Sequence, residues 1–174
     1  MPELTPGTWN IEPMHSEIGF TVRHLGMSKV RGRFNSFNGA LTIGTDASAS
    51  AVNAEVDLSS VDTNNEDRDN HLKSSDFFNA EQHPKMTFAS TSVSDSKLAG
   101  DLTINGITKP VELDMEVHGV AVDNYEMTRA GFSATGAIKR SDYGIDFNAP
   151  LGLDGMLISD KVEIELEVQA VPEG

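Results

Sequence analysis

The chain has 174 residues, with 27 acidic side chains against 13 basic ones and a formal net charge of −14. This length predicts a single domain over residues 1–174 with an ordered core over about 8–171, and the negative charge argues against nucleic acid as a partner. Cysteine is absent, which excludes disulfides, thiol nucleophiles and thiolate-bound metal centres.

The sequence carries no sign of a membrane anchor. No apolar run is long enough to cross a bilayer, so we expect no transmembrane segment. The amino terminus lacks the basic and apolar regions of an export signal. We therefore expect a cytoplasmic protein, or a periplasmic or secreted one if the chain is a processed form.

Apolar and polar residues alternate along most of the chain, as side chains do on the two faces of a β-strand. In the clearest case Val162, Ile164 and Leu166 alternate with glutamates, which indicates one apolar face and one wet face. The same pattern predicts nine strands, over 8–12, 16–25, 32–44, 50–59, 85–94, 97–104, 107–122, 130–141 and 160–171. Asn105-Gly106 predicts a type I′ hairpin turn, and Pro110 places the start of strand 107–122 at an edge or a bulge.

One short helical segment is expected around residues 64–81. Thr63 to Glu66 has the spacing of a capping box, which predicts a helix that opens there and runs to about Leu72. A second helical turn is expected from Ser75 to about Glu81. The rest of the chain is all-β.

Long strands with one wet face fit an antiparallel sheet that is either closed into a barrel or stacked as two sheets. The alternation is the same in both architectures. Many inward positions hold small or flexible residues, which would leave room for a chain-shaped apolar ligand. A well-packed core of small side chains explains the same composition, so the pattern leaves both interpretations open.

The segment from Ile18 to Thr45 contains no acidic residue, although it carries Arg23, Lys29, Arg31 and Arg33. Such a patch at one end of a barrel could hold a phosphate or carboxylate group. The alternative is that these cations pair with acidic neighbours on adjacent strands.

Arg68 and His71 stand three residues apart and therefore share one face of the predicted helix. There they could close over an opening and contact the polar group of a ligand. In the alternative interpretation, Arg68 pairs with Asp67 or Asp76 and His71 caps the end of the helix.

No catalytic or metal-binding template fits the chain. The spacing around Ser133 has one residue too many for a nucleophile elbow, and no helix follows it. The histidines are scattered, and no H-E-x-x-H motif or glycine-rich phosphate loop occurs. We therefore expect no enzyme, no catalytic residue, no metal and no cofactor; an esterase or isomerase that uses His15, His71 or Ser133 is a weaker alternative.

Several stretches together resemble the YceI-like family of bacterial polyisoprenoid-binding proteins. They are His15-Ser16-Glu17-Ile18-Gly19-Phe20-Thr21-Val22, Val30-Arg31-Gly32-Arg33-Phe34, Arg68-Asp69-Asn70-His71-Leu72, Ser75-Asp76-Phe77-Phe78, His83-Pro84-Lys85-Met86-Thr87-Phe88, the run from Gly100 to Val111, and Ile158-Ser159-Asp160-Lys161-Val162. The resemblance implies an eight-stranded antiparallel lipocalin-like barrel with a short helical segment and a long apolar tunnel. It also implies non-catalytic binding of isoprenoid chains, quinones or fatty-acid derivatives.

On this basis we predict binding, carriage or sequestration of a long-chain isoprenoid or lipid ligand in the barrel interior. The predicted tunnel-lining residues are Phe20, Val22, Phe34, Val56, Leu58, Phe77, Phe78, Phe88, Leu102, Leu113, Met115, Phe132, Ile164 and Leu166. The predicted head-group residues are Arg68, His71 and Arg31. The alternative is a protein-interaction module, a β-sandwich or barrel with a filled core; a homodimer is left open.

Overall fold

The computed structural model describes residues 4–24, 27–145 and 159–173. In these residues the strands are β1 (Gly7–Ile11), β2 (Glu17–His24), β3 (Ser28–Phe34), β4 (Phe37–Ile43), β5 (Ala51–Asp57), β6 (Val61–Asp62), β7 (Lys85–Val93), β8 (Lys97–Ile104), β9 (Ile107–Val122), β10 (Thr128–Lys139) and β11 (Lys161–Pro172). The α-helix is α1 (Glu66–Lys73), and 3₁₀ turns lie at Pro13–His15, Ala47–Ala49, Leu58–Ser60 and Arg140–Tyr143. None of the helices in this part of the chain is both long and apolar enough to cross a bilayer.

The strands form a closed eight-stranded antiparallel barrel, as predicted. Strands β1, β4, β5, β7, β8, β9, β10 and β11 pair in this order, and β1 closes the ring on β11. Strands β2, β3 and β6 extend the same sheet from β11, in this order. Strand β11 pairs with β1 through Ala170–Pro172 and with β2 through Glu163–Glu167, so β1 and β2 are two halves of one wall strand.

The predicted strand 32–44 is two strands that meet at a bend, which is a correction. Strand β3 begins earlier, at Ser28, and ends at Phe34, and β4 begins at Phe37. At the bend the Asn35 amide donates to the Ser60 carbonyl, and the Ser36 carbonyl accepts from the Asp57 amide. Because these bonds keep the wall connected, the chain changes direction without opening the sheet.

The turn and edge predictions for strand 107–122 are both confirmed. Asn105 and Gly106 have φ values of 56° and 75°, as a type I′ turn requires. Among the described residues, β9 pairs with β10 only from Asp114 onward, so the segment containing Pro110 pairs with β8 alone. Proline, which lacks an amide hydrogen, is tolerated at such an edge.

The helix is shorter than the predicted segment and begins differently. Its N-cap is Asn65, whose side-chain oxygen accepts from the Arg68 amide at 3.0 Å, and not Thr63. Thr63 is buried, and its hydroxyl donates to Asp69 Oδ1 at 2.5 Å. After Lys73 the chain continues in hydrogen-bonded turns to about residue 82.

The two ends of the barrel are filled unequally. At the end that holds β1, Trp9 is 1% exposed and packs in a cluster with Leu41, Ile43, Phe132 and small residues of β10 and β11. A second cluster around Leu98 lies next to it and borders the cavity, since its members Leu98, Leu113 and Ala134 line the cavity wall. We call the end that holds β1 the filled end; the opposite end, where α1 lies, is the hollow end.

Candidate functional site

The hollow end contains a cavity of about 750 Å³ that is partly open to solvent. Its wall is almost entirely aliphatic and aromatic. Twelve of the fourteen predicted tunnel residues lie on this wall: Phe20, Val22, Phe34, Val56, Phe77, Phe78, Phe88, Leu102, Leu113, Phe132, Ile164 and Leu166. A filled core, as the interaction-module alternative requires, therefore does not describe this half of the barrel.

Two predicted tunnel residues lie elsewhere in the core. Leu58 is completely buried and packs with Phe34, Phe37, Val56 and Val61 in the wall, not on the cavity surface. Met115 packs against the cluster around Leu98 and is not part of the cavity surface. Alternation correctly predicts that both lie on the apolar side of the sheet, but it does not tell which end of the barrel is hollow.

The exposure of the lining residues locates the opening. Only six cavity-lining residues in the described chain are exposed: Arg23, Ser28, Asn65, Asp67, Arg68 and His71. The first two lie at the tip of the β2–β3 hairpin and the other four lie on α1 or at its start. The cavity therefore opens between the hairpin tip and the helix, and its exposed polar residues all lie there.

Arg68 is held at the opening by Thr63. Its Nε donates to the Thr63 hydroxyl at 2.7 Å and its Nη2 donates to the Thr63 carbonyl at 2.6 Å. The alternative pairing with Asp67 or Asp76 is not what fixes the side chain. Thr63 supplies neutral acceptors, and its hydroxyl in turn donates to Asp69 Oδ1, so within the described chain the guanidinium makes no direct ion pair.

His71 reaches the opening from the same helix face, as the spacing predicts. Its Nε2 and Asp76 Oδ2 lie 2.9 Å apart, and its ring meets Phe77 edge-on with the centroids 5.0 Å apart. The side chain does not cap the helix, because Ser74 does so through its amide and hydroxyl, which both donate to the His71 carbonyl.

Arg31, predicted as a head-group residue, lies outside the cavity. It is exposed, between the cavity-lining Val30 and the inward-facing Gly32 on β3. Because successive side chains of a strand point to opposite faces, Arg31 faces away from the lumen. The alternation of the sequence around Val30 already indicates that Arg31 lies on the outer face of β3.

Arg140 and Tyr143 are cavity residues that sequence reasoning missed. Predicted strand 130–141 placed Arg140 in a strand, whereas β10 ends at Lys139 and the next residues form a 3₁₀ turn. Arg140 is 6% exposed, and its guanidinium donates to the carbonyls of Ser159 and Ile145. A charged residue at a strand end gives no sequence signal of such burial.

Tyr143 is 1% exposed and also belongs to the cavity wall. Within the described residues its hydroxyl has no hydrogen-bond partner. Burial raises the pKa of this hydroxyl to about 12, so it remains a neutral donor at any ordinary pH. An unpaired donor of this kind is rare in a folded protein.

Glycines keep the cavity hollow by giving phenylalanine rings room against the wall. A Cβ at Gly32 would lie 2.7 Å from Cε1 of Phe20, and one at Gly100 would lie 2.5 Å from Cζ of Phe88. Each ring therefore lies over a glycine of the neighbouring strand. Sequence reasoning missed this pairing because it depends on strand register.

The residues of the weaker enzyme alternative are not brought together. His15 pairs with Glu12 beside β1, and His71 lies on α1. Ser133 Oγ and His118 Nε2 lie 3.0 Å apart, but His118 is exposed on the outer surface. Among the described residues, no group of three potential ligands could hold a metal ion.

Closed antiparallel barrels with an apolar cavity are the structural class to which this chain belongs. The sequence matches the YceI-like domain over residues 9–170, and the chain is therefore a member of the YceI-like family. It is 42% identical over 165 residues to a UPF0312 protein of Pectobacterium carotovorum, an alignment that covers 92% of this chain and 83% of the relative.

Solved structures show the same fold. The YceI protein of Campylobacter jejuni is 31% identical, has a TM-score of 0.73 and is covered completely, as is this chain. A polyisoprenoid-binding domain from Saccharophagus degradans, implicated in plant cell wall breakdown, has a TM-score of 0.72 at 15% identity, with coverage of 95% of this chain and 98% of that one. The second likeness concerns the fold alone.

Proposed function

We propose that the protein binds a long-chain apolar molecule, an isoprenoid or a fatty-acid derivative, and carries or sequesters it without chemical change. The observation that carries this proposal is the cavity of about 750 Å³, whose wall is apolar and whose exposed polar residues all lie at the opening. Pockets for small apolar ligands have this size and this arrangement. The polyisoprenoid-binding domain from Saccharophagus degradans has the same fold, so this fold is compatible with such a ligand.

The apolar wall is a sufficient source of affinity. Burial of each methylene group contributes about 0.8 kcal/mol. Ten such groups contribute about 8 kcal/mol, which corresponds to micromolar binding before the cost of ordering the chain. The ligand therefore needs few polar contacts.

Arg68 and His71 are the proposed contacts for the polar end of the ligand. With Nε and Nη2 of Arg68 bonded to Thr63, the guanidinium is already oriented at the opening. Its Nη1 has no partner in the described chain, and it suits a phosphate or carboxylate oxygen through a charge-assisted hydrogen bond. A ligand would then lie with its tail inward and its polar end between α1 and the hairpin tip.

The proposal is tested by native mass spectrometry of the purified protein, followed by titration with geranylgeranyl phosphate and palmitic acid. We expect a co-purifying apolar molecule or uptake of one of these probes. An empty protein that takes up neither probe would refute the proposal.

A matched pair of variants tests whether the ligand occupies the lumen. Ala54 lies on the cavity wall and its neighbour Asn53 is exposed on the outer face of β5. We expect Ala54→Trp to weaken probe binding at least about tenfold by filling the space, and Asn53→Trp to change it less than about twofold. Equal effects of the two substitutions would contradict binding in the lumen.

A further inference from the structure

We propose that the tip of the β2–β3 hairpin docks on an anionic lipid membrane and so presents the cavity opening to the bilayer. The docking surface, called the cationic tip, consists of Arg23, Met27, Lys29 and Arg31. The purpose of this docking, loading or unloading of a lipid, rests on the proposed function. The docking itself rests on charge, exposure and position.

The cations of the tip are not balanced by acidic partners in the described chain. Among the cations of this region, Arg33 approaches Asp62 at 4.0 Å. For Arg23, Lys29 and Arg31, the described chain offers no ion-pair partner, so pairing with neighbours does not account for them. Residues 18–45 carry four positive charges and no negative one, while the rest of the chain carries −18.

An exposed apolar side chain lies within this charge. Met27 is 74% exposed between β2 and β3, and Lys29 follows it two residues later. Apolar side chains flanked by cations favour the membrane interface, where the apolar group enters the headgroup layer and the cations remain at the lipid phosphates.

The tip is also part of the cavity opening. Arg23 and Ser28 are exposed and line the cavity, and α1 lies across the opening from them. A surface that contacts Arg23 therefore lies beside the opening. An apolar ligand could then pass between bilayer and lumen with little exposure to water, which lowers the cost of exchange.

Acidic side chains around the tip restrict how the protein can approach. Glu163 and Glu165 face outward on β11, on the far side of β2, and Asp62 and Asp67 lie toward α1. These groups repel an anionic surface, so contact is favourable through the tip alone. At physiological salt, charges more than about 8 Å apart are largely screened, and the overall negative charge does not cancel the local attraction.

Vesicle co-sedimentation tests the proposal. The full chain is mixed with vesicles of phosphatidylcholine alone and of phosphatidylcholine with phosphatidylglycerol. We expect binding to the mixed vesicles, loss of binding at high salt, and little binding to phosphatidylcholine. Absence of binding to the mixed vesicles, or equal binding to both compositions, would overturn the proposal; the former result would leave an acidic protein as the partner of the tip.

Two matched charge reversals locate the contact. Lys29 belongs to the tip, whereas Lys109 is an exposed lysine on β9. Lys29→Glu and Lys109→Glu therefore change the net charge equally at two different places. We expect Lys29→Glu to lower partitioning onto the mixed vesicles about tenfold or more, and Lys109→Glu to lower it less than about threefold. Equal losses would mean that net charge, and not the tip, controls binding.

Met27→Ser separates insertion from charge. It should weaken binding to the mixed vesicles several-fold without changing the salt dependence, and unchanged binding would remove the apolar part of the proposal. The Lys29→Glu protein should still take up geranylgeranyl phosphate in the absence of vesicles, because the substitution affects docking and not the cavity. This measurement distinguishes a failure of docking from a failure of ligand binding. If the wild-type protein takes up no probe but binds the mixed vesicles, the proposed function fails and the docking stands.

Discussion

The filled and hollow ends of the barrel are built from strands with the same alternation, yet one end is a core and the other a cavity. At the filled end the large ring of Trp9 packs in one cluster with Ala130 and Ala170, both completely buried. At the hollow end Phe20 and Phe88 lie over Gly32 and Gly100. The difference teaches that a cavity depends on which residue faces each large ring across the sheet, and not on the number of apolar residues.

The largest effect is expected from removal of the Trp9 ring. Trp9→Ala should destabilise the protein by about 3–5 kcal/mol, because the close-packed filled end cannot collapse into the space. Urea unfolding measures the change. Phe20→Ala is the matched control at the hollow end, where the ring already borders open space, and it should cost less than half as much. Similar losses would mean that the two ends are packed alike.

Gly32→Val should break the arrangement that keeps the hollow end open. The new side chain would occupy the space of the Phe20 ring, which must then turn into the lumen, at a cost of about 1–3 kcal/mol. Probe uptake should fall together with stability. Gly19→Ala on β2 is the control, since its nearest neighbour, the Gly32 carbonyl oxygen, would be 3.5 Å from the added Cβ. An unaltered cavity in a crystal structure of Gly32→Val would contradict this account of the ring.

Tyr143→Phe should stabilise the ligand-free protein by about 1–2 kcal/mol, because it removes a buried hydroxyl that the described residues leave unpaired. Urea unfolding again measures the change, with Tyr125→Phe as the control, since Tyr125 is 90% exposed. A less stable Tyr143→Phe protein would show that the hydroxyl has a partner. A gain in stability would show that the buried Tyr143 hydroxyl destabilises the hollow end of the ligand-free protein.

The smallest effect concerns pH, and here too the two ends differ. Near the filled end Arg129 donates to Glu12 at 2.7 Å and to Asp123 at 2.8 Å, whereas Arg68 at the opening bonds neutral acceptors. The His15 and Arg129 hydrogen bonds lower the pKa of Glu12 below 4.5, and Arg129 lowers the pKa of Asp123 below 3.8. Carboxyls with a lowered folded-state pKa add stability that is present above their ordinary pKa and lost as pH falls through the folded value.

We therefore expect stability to decline as the pH is lowered below about 5, with Arg129→Gln declining less over the same range. Thermal unfolding measured from neutral pH to about pH 3 gives both slopes. Arg68→Gln should leave the slope of the wild-type protein unchanged. If it flattens the slope as much as Arg129→Gln does, the Arg129 ion pairs make no special contribution to the acid sensitivity.

Much of the fold could be predicted because period-two alternation and turn chemistry are local. The Asn105-Gly106 turn and the edge position of Pro110 follow from backbone geometry that few other residues permit. The bend between β3 and β4 also has a local signal, since buried Phe34 and Phe37 are three residues apart and break the alternation. This spacing is a local sequence signal for a bend.

The candidate site could be predicted only in part, because its geometry depends on contacts between distant strands. Arg68 and His71 reach the opening as their helical spacing indicates, although their partners, Thr63 and Asp76, could not be inferred. The burial of Tyr143 depends on how a 3₁₀ turn folds against the β8–β9 turn, where Asn105 Nδ2 donates to the Tyr143 carbonyl. No local pattern encodes such a contact.

The first half of β9, which among the described residues pairs only with β8, has a consequence for the behaviour of the protein at high concentration. A strand whose outer backbone groups are unoccupied is a template on which a foreign strand can add, and this is how many β-proteins precipitate. Here that edge holds Lys109 and Pro110, both exposed. The positive charge of Lys109 would be repelled by the same residue of an added copy, and Pro110 has no backbone N–H to donate to an added strand. Both residues therefore oppose amyloid-like growth at this edge.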